Sequence, residues 1–508
     1  MVLDRVSSLV KVTLLTSRVA KDILVEYMKT FKLENVEVNI VDLPVHSISM
    51  LSAENIAKIV SRKSVVRDKL GESEIILIPG SVSGDAKVIS DVIDRPVFKA
   101  SRTIVHLPQV LKYITEGGKL DTIKPAEDII TLSEPRYEYT EAFKVNGLSI
   151  PLRGPPIILA SEAIARLKGE EFKESIARFL REGAKIIVVG SSFDTQPEEL
   201  ESKVRLVADI SYPILVEAPS RSHAYRALDA GAQGVITSCD IIEEISGYLS
   251  KDHLLVIGDR SIDSLVKALE FTRSIGLYKV IIDPVVGIPL IDFSSTIYRY
   301  SEASKLRVPL WFSSANVIEE VEADSHSLHA ILASLALELG ASIYSVVEDS
   351  YKSIHSTAEA REALRVASQA YSMKSTMRGS YSSLLIVKSS SQPEQAPQEY
   401  TSIAEPVNYI EPYWDKRGYL RIFVDHKNKV IIAAYIMHRG GIIAVKGRSA
   451  TSIARALIRK ASLDPEHSAY LGYELSKAEL ALKLSLPYIQ DEPLLKTPWD
   501  DIIEESRG

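Results

Sequence analysis

The central part of the chain repeats one hydrophobic pattern eight times between residues 155 and 367. Each repeat is a short run rich in Ile, Val and Leu, followed by a polar turn and a stretch whose apolar residues have helical spacing. The apolar runs are unbroken, which is typical of parallel strands that are covered on both faces. These runs occupy residues 157–161, 185–191, 213–217, 234–239, 254–259, 279–283, 309–314 and 342–348.

Helical stretches alternate with these runs, as at 173–181, 222–230 and 263–274, and a glycine follows each of them as a C-cap. In a fourth stretch, 325–339, the spacing predicts that five residues face the strands: Leu328, Ile331, Leu332, Leu335 and Leu339. Eight strand and helix units in succession predict a (β/α)8 barrel.

The regions on either side of the barrel have their own patterns. Residues 1–150 alternate strands at 10–15, 36–41 and 74–79 with helices, which predicts an α/β domain. Residues 388–404 are polar and rich in Ser and Pro, as in a linker. In 405–508, three strand runs precede two helical stretches. The predicted fold class is α/β, with a central (β/α)8 TIM barrel at 151–387, an N-terminal α/β domain and a C-terminal α+β domain.

Polar side chains mark the C-terminal ends of the barrel strands, where such barrels place their active sites. In chain order they are Ser161, Glu162, Ser191, Ser192, Asp194, Glu217, Thr237, Ser238, Cys239, Asp259, Arg260, Asp283, Ser313, Ser314, Asn316, Glu348, Asp349 and Lys352. Carboxylates recur, together with one amide. This lining suits a polar heterocycle such as a pterin, because the N–H groups of its amino-pyrimidinone edge match carboxylate acceptors.

Three segments resemble dihydropteroate synthases: IIVVGSSFDTQP at 186–197, PILVEAPSRSHAYRALDAGAQGVITSC at 213–239 and VIIDPVVG at 280–287. The resemblance implies that Glu217, Thr237 and Asp283 bind a pterin. The family normally has Asp at the first of these positions and Asn at the second. The tip Asn316-Val317 is similar to that of the methyltetrahydrofolate-binding branch, whose Asn contacts the pterin near its reactive nitrogen.

Two further residues complete the predicted substrate-binding set. Asp194 lies in the loop after the second strand, which suits closure over a substrate, and Lys352 follows the eighth strand, where it could meet an anionic tail. The synthases bind the pterin pyrophosphate with an Asn after strand one, a Ser-Arg-Lys motif after strand seven and an Arg-x-His near strand eight. This sequence has carboxylates and small polar residues there, so a phosphate contact would have to come from Lys352, Arg260 or the N-terminal domain.

The whole chain resembles the archaeal dihydropteroate synthase-like proteins linked to tetrahydromethanopterin or related pterin metabolism. The resemblance lies in LLTSRVA at 14–20, IILIPGSVSGD at 75–85 and the segments 316–340 and 467–493. It implies a reduced pterin as substrate or ligand and leaves three hypotheses: an enzyme joining a dihydropterin to an arylamine, a pterin-dependent methyltransferase, and a non-catalytic pterin-binding protein. No catalytic residue is assigned, and a Mg²⁺ requirement and a homodimer stay open.

Composition narrows the function classes. A net charge of −7 gives no electrostatic case for a nucleic acid or an anionic membrane as partner. The single cysteine, Cys239, excludes an intrachain disulfide and a cysteine metal cluster, and we expect it to be packed rather than nucleophilic. The chain has no apolar run of membrane length, so we expect a cytoplasmic protein. Abundant Ile, Val, Glu and Lys with few Asn and Gln indicate a thermophilic source.

Two other kinds of chemistry are not favoured by the sequence. His326 and His329 lie near Asp324 on one predicted helix, but Asp324 is better explained as an N-cap, and no metal site is predicted. Schiff-base catalysis needs a desolvated lysine at a strand's C-terminal end, whereas Lys185 and Lys279 stand at strand starts.

Overall fold

The computed structural model describes residues 9–31, 33–133, 136–191, 194–374, 376–377, 383–388 and 415–495. The chain divides into two compact units, Met1–Pro393 and Glu394–Gly508. The first unit contains the N-terminal α/β domain and the barrel. Apart from Lys388, the predicted linker 388–404 lies outside the described residues.

The N-terminal domain is an open parallel sheet with strand order β2-β1-β3-β4. Its elements are β1 (Val10–Ser17), α1 (Arg18–Lys29), β2 (Val36–Leu43), α2 (Ala53–Arg62), α3 (Ser64–Gly71), β3 (Ile75–Ile78), α4 (Lys87–Ile93), β4 (Val97–Lys99) and α5 (Leu107–Thr115). The three predicted strands are present. The fourth strand, β4, is only three residues long, too short to produce a recognisable apolar run.

A hairpin precedes the barrel, formed by β5 (Glu141–Val145) and β6 (Leu148–Pro151). All eight predicted barrel strands are confirmed, as β7 (Ile158–Ile164), β8 (Ile186–Gly190), β9 (Ile214–Glu217), β10 (Gly234–Ser238), β11 (Leu254–Gly258), β12 (Val280–Asp283), β13 (Trp311–Ser313) and β14 (Ile343–Val347). The helices are α6 (Gly169–Glu182), α7 (Pro197–Val207), α8 (Arg221–Asp229), α9 (Ile242–Ile245), α10 (Ile262–Ser274), α11 (Ser295–Ser304), α12 (Ala315–Ile318), α13 (Ser325–Glu338) and α14 (Ser356–Ser372).

The eight parallel strands close into a barrel. Their order is β12-β11-β10-β9-β8-β7-β14-β13, so β12 and β13 are the two ends of the sheet. A parallel bridge between Ile282 and Leu310 joins these ends, and the Ile282 N–H donates to the Pro309 carbonyl at 3.1 Å. The predicted fold class, a central (β/α)8 barrel, is therefore confirmed.

Side chains alternate between the lumen and the helix layer along each strand. One buried cluster fills the lumen and includes Ala160, Val188, Leu215, Val256, Ile281 and Ile343. Val145 and Ile150 of the hairpin belong to this cluster. Because these residues meet the barrel strands, the hairpin packs as part of the barrel, whereas the sequence prediction extends the N-terminal domain to residue 150.

Helix α13 covers the barrel with most of the predicted face, because Leu328, Leu335 and Leu339 pack partly buried against the barrel core. Leu332 is 2% exposed, as predicted, but Ile331 is 70% exposed. The fully buried positions are Ser325, His329, Leu332, Ala333, Ala336 and Leu337. The helix is apolar nearly all round, so its sequence pattern does not define one face.

The second unit is an α+β module, as predicted. Strands β15 (Gly418–Asp425), β16 (Val430–Met437) and β17 (Ile442–Gly447) form an antiparallel sheet, and helices α15 (Ala450–Ala461) and α16 (Pro465–Leu484) follow. Leu420, Ile431, Leu457 and Leu471 lie in one core between sheet and helices. Among the described residues of the whole chain, no helix has the length and apolar composition needed to cross a membrane.

Candidate functional site

The last lumen-facing layer at the C-terminal ends of the strands is polar. Continuing the alternation from the apolar cluster, this layer comprises Glu162, Gly190, Glu217, Ser238, Gly258, Asp283, Ser313 and Ser345. Its glycines and serines are small and leave space above the apolar core. Its only ionisable side chains are three carboxylates, so the residues around that space are acidic and polar.

Two of the carboxylates flank one peptide. Glu162 lies so close to Gly190 that a methyl group on this glycine would overlap its Oε1. Glu217 accepts a hydrogen bond from the Ser191 N–H, with a nitrogen to Oε2 distance of 3.2 Å. Glu162 and Glu217 therefore both approach the Gly190-Ser191 backbone. Among the described residues, neither carboxylate forms an ion pair with Lys, Arg or His.

The electrostatics of this pair favour the protonated state. Burial raises the pKa of Glu162 well above its usual value, and the negative charges of Glu217 and Asp349 raise it further. Burial also raises the pKa of Glu217, against the opposite effect of the Ser191 N–H. Two such carboxylates cannot both be ionised at low cost.

Asp283, at the end of β12, is the third carboxylate. Its Oδ1 accepts the Val285 N–H at 2.8 Å and lies 3.2 Å from the hydroxyl of Tyr300. That hydroxyl is also 2.6 Å from the Trp311 carbonyl, so two acceptors compete for its single proton. Burial raises the pKa of Asp283 to about 6, although the nearby Arg299 lowers it. Within the described residues, Oδ2 has no hydrogen-bond partner.

Asn316 lies in α12, immediately after β13, and its amide connects two loops at the barrel mouth. Its Nδ2 donates to the Val286 carbonyl at 2.8 Å. Because Val286 belongs to the loop that begins at Asp283, Asn316 helps to hold the segment next to the lumen carboxylate. The structure thus places Glu217, Asp283 and Asn316 at the same end of the barrel.

Lys352 is occupied by protein contacts. Its ammonium donates to the Glu319 carbonyl at 2.7 Å and forms an ion pair with Glu322 at 2.9 Å. The predicted contact of Lys352 with an anionic substrate tail would therefore require it to leave these partners. Asp194 is exposed in the loop after β8, where its carbonyl accepts from Gln196 Nε2 at 3.0 Å. Its neighbours Ser192 and Phe193 lie outside the described residues.

Thr237 is placed differently from the other predicted residues. It shares its strand face with Val235, two residues earlier, which packs in the layer between strands and helices. The Thr237 hydroxyl donates to the Ala218 carbonyl at 3.0 Å. The Thr237 side chain therefore faces away from the lumen. Ser238, the next residue, takes the lumen position on β10. The pterin contact of Thr237 stays a prediction, although its hydroxyl is directed to Ala218 and away from the lumen.

Two residues at the strand ends have structural roles. Glu348 is buried, pairs with Arg178 at 2.7 Å and accepts the backbone N–H groups of His355 and Thr357. Cys239 has its thiol pKa raised to about 12 by burial and by Asp259, so it stays protonated at neutral pH. A packed, unreactive cysteine is the expected outcome.

The described residues include one group with metal-ligand geometry, formed by Asp415, Asp464 and His467 in the second unit. Arg417 already pairs with Asp415 at 3.3 Å and with Asp464 at 3.5 Å, so its guanidinium supplies the positive charge there. His329 is buried, and its Nδ1 lies 2.9 Å from the Tyr344 hydroxyl. Burial lowers the pKa of His329 to about 3, so it is a neutral core residue.

Fold and lumen together define a (β/α)8-barrel protein with an acidic, polar layer at the C-terminal ends of its strands, where such barrels place their active sites. Residues 414–491 match the family model PterinBD-DUF4346. The chain is also 24% identical, over 531 residues, to an uncharacterized protein of Methanocaldococcus jannaschii, with 95% of this chain and 98% of that protein covered.

Among solved structures, the chain is similar to two bacterial dihydropteroate synthases. The Burkholderia cenocepacia enzyme complexed with 7,8-dihydropteroate has a TM-score of 0.38 and 14% identity, covering 47% of this chain and 99% of that one. The Yersinia pestis enzyme in a sulfonamide drug complex has a TM-score of 0.38 and 16% identity, covering 45% and 98%. The family match at 414–491 and the closed barrel confirm the predicted resemblance to dihydropteroate synthase-like, pterin-binding barrel proteins.

Proposed function

We propose that the barrel lumen binds a reduced pterin and that the protein is a dihydropteroate synthase-like enzyme, which joins a dihydropterin to an arylamine. The observation that carries the proposal is the set of lumen carboxylates, Glu162, Glu217 and Asp283, none of which forms an ion pair among the described residues. The amino-pyrimidinone edge of a pterin is rich in N–H donors, which these acceptors would satisfy. The family match at 414–491 supports the same class of ligand.

Synthase chemistry requires a contact for the leaving pyrophosphate. Arg260, immediately after the β11 tip, is the best candidate because its side chain is 52% exposed. The Arg260 Nη1 lies 3.8 Å from Asp292 Oδ2, whereas the Arg299 Nη1 already pairs with the same oxygen at 3.0 Å. In this proposal Arg260 turns from Asp292 to the phosphate, and the lumen carboxylates hold the pterin ring.

Pterin-dependent methyl transfer is the second candidate function, and Asn316 is the observation that favours it. Its amide donates to the loop that begins at Asp283, and an amide can both donate to and accept from a ring nitrogen whose protonation changes. The acidic lumen also fits a ligand that carries no phosphate. A non-catalytic pterin-binding protein is the third candidate.

Equilibrium calorimetry with oxidised and reduced pterins tests the shared element of these proposals. We expect the unsubstituted protein to bind a reduced pterin and Asp283→Asn to weaken binding by about 1–3 kcal/mol, because an amide N–H would face a ligand N–H. Glu359→Gln is the matched control: Glu359 is also a buried carboxyl with a raised pKa, but it lies on α14 and accepts from Ser325 of α13. Absence of pterin binding, or equal effects of the two substitutions, would refute the pterin site.

Turnover assays separate the candidate reactions. With a dihydropterin pyrophosphate and an arylamine as substrates, Arg260→Ala should reduce turnover strongly and Asn316→Ala only weakly if the protein is a synthase. With a methylated reduced pterin as donor, Asn316→Ala should abolish turnover if the chemistry is methyl transfer. Binding without turnover in both assays would favour the non-catalytic protein.

A further inference from the structure

Glu162 is the lumen carboxylate that the sequence resemblance does not assign. It projects from β7 into the same layer as Glu217 and Asp283. The absence of a side chain at Gly190 makes room for its carboxylate, because any β-carbon there would overlap Oε1. The Glu217 carboxylate lies at the same strand end, where it accepts the Ser191 N–H at 3.2 Å. The local backbone therefore accommodates two carboxylates next to each other.

The charged groups around Glu162 do not compensate this pair. From β9 it faces Glu217, and from the end of β14 it faces Asp349, which is itself paired with Arg166. The neighbouring Glu348 is directed to Arg178 on α6. Among the described residues, no Lys, Arg or His forms an ion pair with Glu162 or Glu217.

Across the lumen, Asp283 is a further acid, and its hydrogen bonds go to Val285 and Tyr300. Asp194 follows β8, but its side chain is exposed in the loop. The elements that meet at this layer thus add negative charge to the pair, and a proton is the simplest species that can neutralise part of it.

We propose that Glu162 is a specificity-determining residue of the lumen site: it shares one proton with Glu217, so that the pair presents an O–H donor beside carboxylate acceptors to the ligand. An ionised pair could only accept hydrogen bonds. A singly protonated pair can both donate and accept over a short distance, and two buried carboxylates that share a proton behave as one titrating unit.

The pair therefore selects a class of ligand. It fits an uncharged planar heterocycle whose edge carries an N–H donor next to a nitrogen or carbonyl acceptor, and it disfavours an anionic edge. This part of the inference rests on the proposed function, because the amino-pyrimidinone edge of a pterin belongs to this class. The shared proton itself does not depend on which heterocycle binds.

The proton can be measured without a ligand. Protein labelled with ¹³C at glutamate Cδ is titrated by NMR, and the Glu162 and Glu217 signals are assigned by their loss in E162Q and E217Q. We expect a coupled titration with one step well above that of an ordinary glutamate, so that one proton is retained at neutral pH. In E162Q, the remaining Glu217 signal should titrate at lower pH. Separate, ordinary titrations of both residues in the unsubstituted protein would overturn the proposal.

Binding of a reduced pterin, measured by calorimetry between pH 7 and pH 9, above the pKa of about 6 of Asp283, tests the role in specificity. The unsubstituted protein should lose affinity by about tenfold per pH unit above the upper titration step, because binding requires the proton. E162Q keeps an N–H donor, so it should bind within about threefold of the unsubstituted protein at pH 7 and show a flat pH profile. E162A, which has no donor, should lose at least tenfold.

Glu359→Gln serves as the control, since it removes a buried carboxyl outside the lumen and should leave the pH profile unchanged. A pH profile of E162Q that parallels the unsubstituted protein would overturn the role of Glu162. If no pterin binds at any pH, the proposed function fails, whereas the ligand-free titration still decides whether the proton is shared.

Discussion

Replacing Asp283 by Asn should stabilise the barrel at alkaline pH while it weakens pterin binding. The pKa of this carboxyl rises from 3.8 to about 6, chiefly because the group is buried. The folded protein thus binds the proton more tightly than the unfolded chain does. The protonated Asp283 therefore contributes its full stabilisation below pH 3.8, and this contribution is lost as the pH rises to about 6. Above that pH, the full cost of burying the ionised carboxylate applies.

The magnitude follows from the size of this rise. At 1.36 kcal/mol per pH unit, the cost is at most about 3 kcal/mol, and the partial exposure of Asp283 lowers the expected range to about 1–3 kcal/mol. The Asn oxygen can still accept from the Val285 N–H and from Tyr300, so the local hydrogen bonds remain. We therefore expect Asp283→Asn to raise the free energy of unfolding by about 1–3 kcal/mol at pH 8 and by little at pH 4.

Urea unfolding followed by Trp311 fluorescence measures this effect in the barrel. Trp311 is buried in the lumen cluster. The chain has three tryptophans, and replacing Trp414 and Trp499 by Phe leaves Trp311 as the single fluorescent probe. This matters because the chain has two compact units, whose transitions need not coincide. Glu359→Gln is again the control, since burial raises the pKa of Glu359 to about 6 as well.

Asp283→Asn and Glu359→Gln should both raise the free energy of unfolding more at pH 8 than at pH 4. Only Asp283→Asn should change pterin affinity. Equal stability of Asp283→Asn and the unsubstituted protein at pH 8, or destabilisation of the same size at both pH values, would refute the argument that burial of this carboxylate is costly.

Three further substitutions or treatments test the fold. Leu332→Ala should cost about 2–5 kcal/mol of unfolding free energy, whereas Ile331→Ala, one residue away and exposed, should cost less than about 0.5 kcal/mol; similar costs in urea unfolding would mean that the α13 face is misassigned. Thr237→Val should lower the free energy of unfolding by about 1–2 kcal/mol and leave pterin affinity unchanged, whereas Ser238→Leu should block pterin binding. If calorimetry shows that Thr237→Val blocks binding and Ser238→Leu does not, Thr237 is the residue that faces the lumen. Brief proteolysis should cut within 388–399 and release a folded C-terminal fragment, whereas stable fragments split inside the barrel, with 388–399 intact, would contradict the predicted linker.

The barrel could be predicted from sequence because its signal is repeated. Eight unbroken apolar runs separated by helical stretches are compatible with few folds, and all eight runs are strands. Single short elements lack such redundancy, which is why β4 and the β5–β6 hairpin were not predicted. Helix α13 shows the same limit, because a helix that is apolar nearly all round carries no pattern that distinguishes Leu332 from Ile331.

The candidate site could be predicted as a region but not residue by residue. The resemblance and the strand ends identified Glu217, Asp283 and Asn316, which lie at the barrel mouth. The same unbroken runs that reveal a barrel hide its register, because strands covered on both faces do not alternate apolar with polar residues. The sequence therefore could not distinguish Thr237, which faces the helices, from Ser238, which faces the lumen.

Glu162 shows how the missing register could be recovered. Its carboxylate lies at a strand end and requires a glycine at position 190 on the neighbouring strand, because a β-carbon there would overlap Oε1. Every second residue of a strand faces the lumen, so the lumen-facing residues of each run can be counted from its polar end. This counting would place Glu162, Gly190 and Glu217 in one layer, provided that the offset between neighbouring strands is known. That offset is a property of the closed barrel, because Glu162 pairs with Val188 and Val188 pairs with Leu215, two residues before Glu217. The juxtaposition of the two carboxylates thus arises from strand pairing and is not encoded in any local motif.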